Sequence, residues 1–208
     1  MDSLRDGNEV EAAVGALRAG LPVVLPTDTV YGLCANAYSE ESVRRAYELK
    51  GREPLQPSAL LAGDVDTLLE CLPELRGRVG AILRALLPGP FTLVVPNPAG
   101  RYRWLTGERT DTIGVRVPEL PAPAEAVLSR AGLVMATSAN LPGGPDPARL
   151  EDVPDKILEG CGAVIDAGEL PGVPSTVIDL AGDEPRVLRQ GAVSEAEALK
   201  RVTGLVAE

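Results

Sequence analysis

The sequence predicts an α+β (mixed α/β) protein with one three-layer domain over residues 1–208. In this domain, helices flank a twisted sheet of about seven strands, parallel and antiparallel. A chain of 208 residues, 45% apolar and 24% charged, is long enough to form a single substantial core. Its 22 glycines and 19 prolines indicate many turns between short elements. Helical and strand patterns follow one another at irregular intervals, which favours a mixed sheet over a regularly alternating parallel one.

The amino-terminal half is predicted to begin with an amphipathic helix over residues 8–19, where apolar residues recur at helical spacing until Gly20. Ser39 is placed to cap a second helix that runs to Gly51, because acidic residues follow it in the first turn and complement the helix dipole. The other elements predicted in this half are a helix over 73–87 and strands over 21–26, 58–61, 91–95 and 112–117.

The carboxyl-terminal half is predicted to contain a helix over 122–131, which leads into an apolar strand over 133–136. A Pro/Gly-rich loop over 142–147 separates this strand from a helix over 148–159. Short apolar runs then predict strands over 163–165, 176–178 and 186–188. Ser194 and Glu197 form a capping-box pattern, so residues 192–208 are predicted to form a final helix and tail.

The composition excludes several classes of chemistry. The chain has no histidine, which rules out a Ser-His-Asp triad, a Cys-His dyad and histidine metal ligands. Cys34, Cys71 and Cys161 are widely spaced and odd in number, which is typical of reduced thiols rather than a disulfide framework or zinc site. The net charge of −10 argues against a protein that coats nucleic acid. Without a signal-peptide pattern or an 18-residue apolar run, we expect a cytoplasmic protein and no membrane contact.

Four apolar runs end in polar residues or are interrupted by them, and each of these four polar segments is a candidate ligand-binding segment. Open α/β sheets bind ligands beyond the carboxyl ends of strands, and Lys50 and Arg52 supply cations for an anionic ligand. No P-loop and no G-x-G-x-x-G motif occurs, so any nucleotide site is of another kind. The four segments are Thr27-Asp28-Thr29, Arg116 within its strand, Thr137-Ser138-Ala139-Asn140 and Pro174-Ser175-Thr176.

Each of these segments also has a purely structural interpretation. Ser, Thr, Asn and Asp cap helices and build turns in every fold, and cations in a last helical turn complement the helix dipole. Arg116 is harder to explain this way. It lies between Val115 and Val117 in a strand, so its side chain points to the opposite face, which is either solvent or a polar cleft.

Taken together, eight ordered segments resemble the YrdC-like family of L-threonylcarbamoyladenylate synthases, over about residues 8–191. Because the sequence continues only to residue 208, we expect no further carboxyl-terminal domain, and the chain resembles the short, single-domain branch of that family. The segments that carry the resemblance are Pro26-Thr27-Asp28-Thr29-Val30-Tyr31-Gly32-Leu33, Lys50-Gly51-Arg52, Pro88-Gly89-Pro90-Phe91-Thr92, Arg103-Trp104-Leu105-Thr106-Gly107, Val115-Arg116-Val117-Pro118, Thr137-Ser138-Ala139-Asn140, Pro174-Ser175-Thr176-Val177 and Leu188-Arg189-Gln190-Gly191.

The resemblance implies a nucleotidyltransferase that joins L-threonine, bicarbonate and ATP into threonylcarbamoyl-AMP and pyrophosphate. The product would pass to a threonylcarbamoyl-transferase complex, which forms N6-threonylcarbamoyladenosine in tRNA. Mg²⁺ would enter with ATP, and no protein ligand to the metal is assigned, because Mg²⁺ bound with ATP keeps several waters. Neither chemical step needs a covalent protein nucleophile, since positioning and charge stabilisation suffice.

The resemblance also implies roles for nine residues. Arg116 would pair with the carboxylate of L-threonine in a bidentate contact. Two of the ATP-binding cations, Lys50 and Arg52, would stabilise the transition state. The L-threonine-binding residues would be Thr29, Arg116, Ser138 and Ser175. The ATP-binding residues would be Lys50, Arg52, Thr112, Asn140 and Arg189.

The chain departs from the family pattern at two places near the amino-acid pocket. Leu61 stands where some members have histidine, and Ser58 stands where the motif usually continues with leucine. Two alternatives to the synthase stay open. One is a paralogue that adenylates a different carbamoylated amino acid, because the loss of one polar partner shifts selectivity. The other is an RNA-binding module of the same fold for tRNA, double-stranded RNA or the ribosome, including weak tRNA binding beside catalysis.

Overall fold

The computed structural model describes residues 2–53 and 55–206. Within this part of the chain, seven α-helices and nine β-strands follow one another in an irregular order, with three single 3₁₀ turns between them. The helices are α1 (Asp2–Arg18), α2 (Glu40–Lys50), α3 (Val65–Cys71), α4 (Arg78–Leu86), α5 (Ala122–Ala131), α6 (Asp155–Gly160) and α7 (Glu195–Val206). The strands are β1 (Val23–Pro26), β2 (Tyr31–Asn36), β3 (Ala59–Leu61), β4 (Phe91–Pro96), β5 (Thr112–Arg116), β6 (Val134–Ser138), β7 (Ala163–Val164), β8 (Thr176–Asp179) and β9 (Arg186–Arg189).

The strands of the described residues form one sheet in the order β7-β1-β2-β6-β3-β5-β4-β8-β9. Three neighbouring pairs are parallel, β1 with β7, β3 with β5 and β4 with β8, and the other five are antiparallel. The mixed sheet is confirmed, but the strand count is nine rather than about seven. Strand β2 was not predicted because Tyr31–Asn36 contains a glycine and no β-branched residue. It forms a hairpin with β1, in which Pro26 pairs with Tyr31.

Helices cover both faces of the sheet, which gives the predicted three layers. Alternation along the strands sends neighbouring side chains to opposite faces. Leu61 of β3 packs in an apolar cluster with α1 and α5, whereas Leu60 packs in the larger cluster with the other five helices. The face that carries α1 and α5 is called the α1/α5 face below. These two helices cover only part of it.

Two predicted helices are shorter than their sequence patterns indicate. The helix predicted over 73–87 divides into a 3₁₀ turn over 73–75 and α4, because Gly77 between them has a φ of 90°. The helix predicted over 148–159 likewise divides into a 3₁₀ turn and α6 on either side of Pro154, which caps α6. Helix α3 was not predicted; Asp64 caps it by accepting a hydrogen bond from the amide of Thr67 at 2.7 Å.

Gly191 gives a stability prediction, because the chain after β9 passes very close to the segment before β8. A Cβ at Gly191 would lie 2.1 Å from the carbonyl oxygen of Pro174 and 2.6 Å from that of Ser175. Backbone atoms cannot rotate away, so Gly191→Ala is expected to cost about 1–3 kcal/mol, as overpacking does. Gly204→Ala is the matched control, since no atom lies within 4 Å of the position that a Cβ would occupy there. Urea unfolding of both variants would measure the difference, and equal midpoints would contradict the packing argument.

Candidate functional site

A cleft of about 500 Å³ opens on the α1/α5 face of the sheet, beyond the part that the two helices cover. Its wall combines hydroxyls, arginines, two carboxylates and apolar side chains. The lining residues are Thr27, Val30, Gly32, Arg52, Leu55, Pro57, Ser58, Ala59, Thr92, Val94, Thr106, Glu108, Arg109, Thr112, Gly114, Arg116, Ala136, Thr137, Ser138, Asp146, Pro174, Ser175, Val177, Leu188 and Arg189.

The cleft lies over a face of the sheet rather than only beyond its carboxyl edge, which differs from the expectation for an open α/β sheet. Alternate residues of β5 line it, and Gly114 pairs with Ala59 on one side and with Val94 on the other. Arg116 therefore faces a polar cleft, the second of the two possibilities that its strand position left open. Its ladder partner Leu61 is 1% exposed and belongs to the apolar cluster under α1 and α5.

Arg116 is anchored by the turn between β1 and β2. Its Nη2 donates hydrogen bonds to Asp28 Oδ1 and, at 2.6 Å, to Thr29 Oγ1. Within the turn, Thr27 Oγ1 accepts from the amides of Thr29 and Val30, each at 3.3 Å. Arg116 Nε is buried and has no hydrogen-bond partner in the described part of the chain. A buried N–H without a hydrogen-bond partner costs free energy, so the Arg116 guanidinium has a donor that a ligand can use.

Lys50 lies behind the cleft wall, at the end of α2. Its Nζ donates to the carbonyl oxygen of Ser138 and, at 2.6 Å, to Asn140 Oδ1. Ser138 Oγ donates to the same Asn140 oxygen at 2.7 Å. Asn140 Nδ2 in turn donates to the carbonyl oxygen of Gly144 at 2.7 Å, which ties the following loop to this group. The Ser-Ala-Asn segment is thus held by a buried cation.

Arg52 follows the αL glycine that ends α2 and turns into the cleft. Its Nη1 donates to Thr137 Oγ1 at 3.2 Å, and its Nη2 donates to the carbonyl oxygen of Pro57. The guanidinium lies over the ring of Tyr47, 5.9 Å from its centroid. Arg52 Nε is buried without a partner in the described residues, as is that of Arg116. The cleft therefore contains two arginines whose hydrogen-bonding capacity is unfilled.

The opposite wall carries a hydroxyl pair and a third arginine. Arg189 Nη2 donates to the carbonyl oxygen of Ser175 at 2.9 Å and lies 3.3 Å from Ser175 Oγ. Ser175 Oγ is 2.8 Å from Thr92 Oγ1, so these two hydroxyls share a hydrogen bond. Thr112 Oγ1 donates to the carbonyl oxygen of Arg109 at 3.2 Å. Arg52 and Arg189 thus reach the cleft from different parts of the fold, the segment after α2 and strand β9.

The structure brings all nine predicted site residues to the cleft wall or directly behind it. Arg52, Thr112, Arg116, Ser138, Ser175 and Arg189 line the cleft. The other three stand behind it: Lys50 and Asn140 hold the Ser-Ala-Asn segment, and Thr29 is 1% exposed with its hydroxyl on Arg116. Their predicted contacts with ATP and L-threonine stay predictions, as do those of the six lining residues.

Sequence reasoning did not single out Thr92, Asp146 and Glu108 as cleft residues. Thr92 could have been recognised, because β4 alternates buried and half-buried positions and places a hydroxyl on the less buried side. Asp146 and Glu108 lie in loops and gave no periodic signal. The negative charge of Asp146 favours the protonated forms of both Lys50 and Arg189, and so acts against the lowering of their pKa values by burial.

Lys50 predicts a pH dependence of anion binding. Burial and, to a smaller extent, the charge of Arg52 lower the pKa of Lys50 to about 8, although the charge of Asp146 acts in the opposite direction. The protonated form, which attracts a polyanion, therefore predominates below pH 8 and is lost above it. We expect the dissociation constant of ATP to rise on the order of threefold to tenfold between pH 7 and 9. Calorimetric titration would measure it, and Lys50→Arg should flatten the profile. If the dissociation constant of ATP rose by the same factor in Lys50→Arg, the pH dependence would belong to another titratable group.

Residues 2–53 and 55–206 contain neither a candidate metal cluster nor a candidate membrane helix. No group of three or more His, Cys, Asp or Glu side chains is placed to hold a metal ion there. None of the helices in the same ranges combines the length and apolar character that crossing a membrane requires. Cys34, Cys71 and Cys161 are free thiols, as predicted.

Comparison with known proteins identifies the family. The Sua5/YciO/YrdC family model, which is described as telomere recombination, matches residues 15–191. The chain belongs to this family. A Mycobacterium tuberculosis protein is 35% identical over 197 residues, which cover 94% of this chain and 89% of that protein. The Pyrococcus abyssi threonylcarbamoyl-AMP synthase is 34% identical over 197 residues, covering 94% of this chain and 57% of its own length.

The fold is shared with solved members of the family. The structure of P. abyssi Sua5 complexed with L-threonine superposes with a TM-score of 0.79 at 33% sequence identity. The match covers 93% of this chain and 57% of the archaeal chain. This Sua5/YciO/YrdC chain therefore spans little more than half of that longer relative, while it spans most of the mycobacterial one.

Proposed function

We propose that this chain is a threonylcarbamoyl-AMP synthase, which forms threonylcarbamoyl-AMP and pyrophosphate from L-threonine, bicarbonate and ATP. One observation carries the proposal: Arg52, Arg116 and Arg189 line a single cleft, together with Arg109, which pairs with Asp179. Arg52 and Arg116 each have a buried N–H without a partner in the described residues. Such a cleft suits a substrate pair with a carboxylate at one end and phosphates at the other. Membership of a family with a member that binds L-threonine supports the same assignment.

The amino acid is assigned to the Arg116 end of the cleft. The guanidinium pairs with the α-carboxylate, and the hydroxyls of Ser138 and Ser175, which line the same cleft, contact the rest of the molecule. Val30 and Ala136 line the same cleft and give its wall apolar surface. A site of this character favours threonine over serine, because one extra methyl in an apolar pocket is worth roughly 1–3 kcal/mol.

ATP is assigned to the cationic walls of the cleft. Arg52 and Arg189 contact its phosphates, and Thr112 adds a polar contact. Lys50 and Asn140 act from behind the wall, where Lys50 raises the positive potential and Asn140 holds its ammonium group. Three cations compensate for the missing P-loop, in which backbone amides would otherwise cradle the phosphates. Because most of these cations are arginines, the charge persists across the physiological pH range.

The residues present fit a magnesium–ATP complex. Mg²⁺ is usually held by one or two carboxylates together with phosphate oxygens and waters. Asp146 and Glu108 line the cleft and would supply carboxylate oxygens there, although the described residues contain no cluster of three such groups. Bound Mg²⁺ would neutralise phosphate charge and favour departure of pyrophosphate.

The chemistry that this cleft supports needs no covalent enzyme intermediate. The amine of L-threonine attacks the carbon of bicarbonate, giving a carbamate and water. A carbamate oxygen then attacks the α-phosphorus of ATP, and pyrophosphate leaves. The chain positions the carboxylate through Arg116, which brings the amine towards the phosphate end, while Arg52 and Lys50 stabilise the negative charge that develops at phosphorus. The absence of histidine is consistent with this mechanism.

The product is a mixed anhydride and hydrolyses readily, so a threonylcarbamoyl transferase that acts on tRNA is the partner expected to consume it. Direct, weak binding of tRNA stays a prediction. The net charge of −10 restricts any such contact to a local cationic surface.

A pyrophosphate-release assay tests the proposed function. The purified chain is incubated with ATP, Mg²⁺ and bicarbonate, with L-threonine, L-serine or no amino acid. We expect release that requires L-threonine and bicarbonate, with serine turned over at least about tenfold more slowly. Equal turnover of serine would favour the paralogue with another amino acid. Release that is independent of any amino acid would overturn the proposal.

A further inference from the structure

Asp28 is the charged residue of the turn between β1 and β2, and it contacts Arg116 from behind the cleft wall. Its carboxylate pairs with Arg116 Nη2, yet Asp28 is not among the residues that line the cleft. Both side chains of the pair are 10% exposed. The second carboxylate oxygen is 3.4 Å from the amide of Glu119, in the segment that follows β5. The carboxylate thus connects the turn after β1 to the end of β5, behind the cleft.

The contacts of Arg116 divide its guanidinium into two parts. Nη2 is satisfied by Asp28 and by the hydroxyl of Thr29 at 2.6 Å, with Thr27 Oγ1 at 3.5 Å. Nε has no partner in the described residues and is buried, and no hydrogen bond of Nη1 occurs there either. A guanidinium held at one nitrogen by a charged partner has little freedom to rotate, so the donors left over keep a fixed direction.

We propose that Asp28 is a positioning residue, which holds Arg116 by Nη2 so that its remaining N–H groups receive the carboxylate of the substrate. This proposal depends on the proposed function in one respect, namely that L-threonine is the amino acid that Arg116 binds. Asp28 acts through Arg116, because it lies behind the cleft wall and does not line it. It also balances the buried charge of Arg116 before the substrate arrives, and a buried guanidinium without a partner would be costly.

A purely structural ion pair would have different consequences. If Asp28 only stabilised the hairpin of β1 and β2, its loss would lower the unfolding midpoint and weaken every ligand of the cleft alike. If it sets the direction of Arg116, its loss weakens ligands with a carboxylate and spares those without one. Asp28→Asn separates these cases, since the amide keeps the shape and one acceptor oxygen but removes the charge. Asp28→Glu serves as the conservative second variant.

The experiment measures three quantities for the wild type, Asp28→Asn, Asp28→Glu and the control Asp66→Asn. Asp66 pairs with Arg84 on the surface, where the two side chains are 73% and 53% exposed. The first quantity is the affinity for L-threonine and for L-threoninamide, which lacks the carboxylate, by calorimetry. The second is the affinity for ATP. The third is the rotation of the Arg116 guanidinium about its Nε–Cζ bond, observed by NMR of arginine-labelled protein.

We expect Asp28→Asn to weaken L-threonine binding by about tenfold or more, as hydrogen bonds to charged groups predict, while threoninamide and ATP change less than about twofold. Guanidinium rotation becomes faster in the same variant, and Asp28→Glu restores part of both effects. Equal losses for threonine and threoninamide, or rotation that is already fast in the wild type, would overturn the proposal. If the wild type binds no L-threonine, the proposed function fails, and the rotation measurement still decides whether Asp28 anchors Arg116.

Discussion

Arg116→Lys is expected to lower kcat/KM for L-threonine by about 100-fold, while the affinity for ATP stays within about threefold. A lysine keeps the positive charge and can still pair with Asp28, so the variant avoids a buried, unpaired carboxylate. It loses the planar guanidinium with N–H donors in fixed directions, among them the Nε–H that has no partner in the described residues. About 100-fold corresponds to roughly 2.7 kcal/mol of transition-state stabilisation, within the range for hydrogen bonds to charged groups.

The measurement is a steady-state titration of L-threonine with pyrophosphate release as the readout. Arg44→Lys is the matched control, because this arginine is 67% exposed on α2 and pairs with Glu48 on the surface. Its kinetic constants should equal those of the wild type. If Arg116→Lys behaved like Arg44→Lys, the amino-acid carboxylate would have to bind elsewhere in the cleft.

Arg52→Met is expected to produce the second large effect, a fall of about 100-fold in kcat/KM for ATP. The methionine retains much of the apolar stem of Arg52. It removes the guanidinium that lies over Tyr47, with its charge and its donors, including the Nε–H that is unpartnered in the described residues. Removing a cation that stabilises transferring phosphate charge typically costs several kcal/mol, so kcat should fall together with affinity. The KM for L-threonine should change much less.

Lys156→Met provides the control for Arg52→Met, because Lys156 is an exposed cation on α6. Initial rates at varied ATP and saturating L-threonine, followed by calorimetric binding of ATP, would separate affinity from turnover. A variant that kept wild-type kcat/KM for ATP would remove Arg52 from the phosphate site. The cationic role would then fall to Lys50 and Arg189.

Much of the fold could be predicted because its signals are local. The cap at Ser39 and the αL glycine Gly51 both occur where the sequence indicated them, with Ser39 Oγ accepting from the amide of Ser42 at 3.2 Å. Strand β2 was not predicted because it lacks β-branched residues. An inner strand can form without them when it pairs with a neighbouring strand on each side. The division of the helix predicted over 73–87 depended on the backbone conformation of Gly77, which apolar periodicity does not report.

The candidate site was predictable only in part, because its geometry depends on how segments that are distant in the sequence pack together. Arg116 could be assigned to a polar cleft or to solvent from strand alternation alone, and the packing of the sheet decided between them. That Lys50 and Thr29 stand behind the wall follows from how α2 and the first hairpin meet β6 and β5, which no local pattern encodes. Asp146 comes from a loop, whose path tertiary contacts determine.

The central claim is that one cleft joins an amino acid, bicarbonate and ATP. Its most direct test is mass spectrometry of the reaction with ¹³C-labelled bicarbonate, Mg²⁺-ATP and L-threonine, analysed before the labile product decays. We predict a threonylcarbamoyl-AMP species that carries one ¹³C atom, forms in equal amount to pyrophosphate and is absent without L-threonine. Formation of AMP or ADP without any labelled carbamoyl adduct would contradict the account.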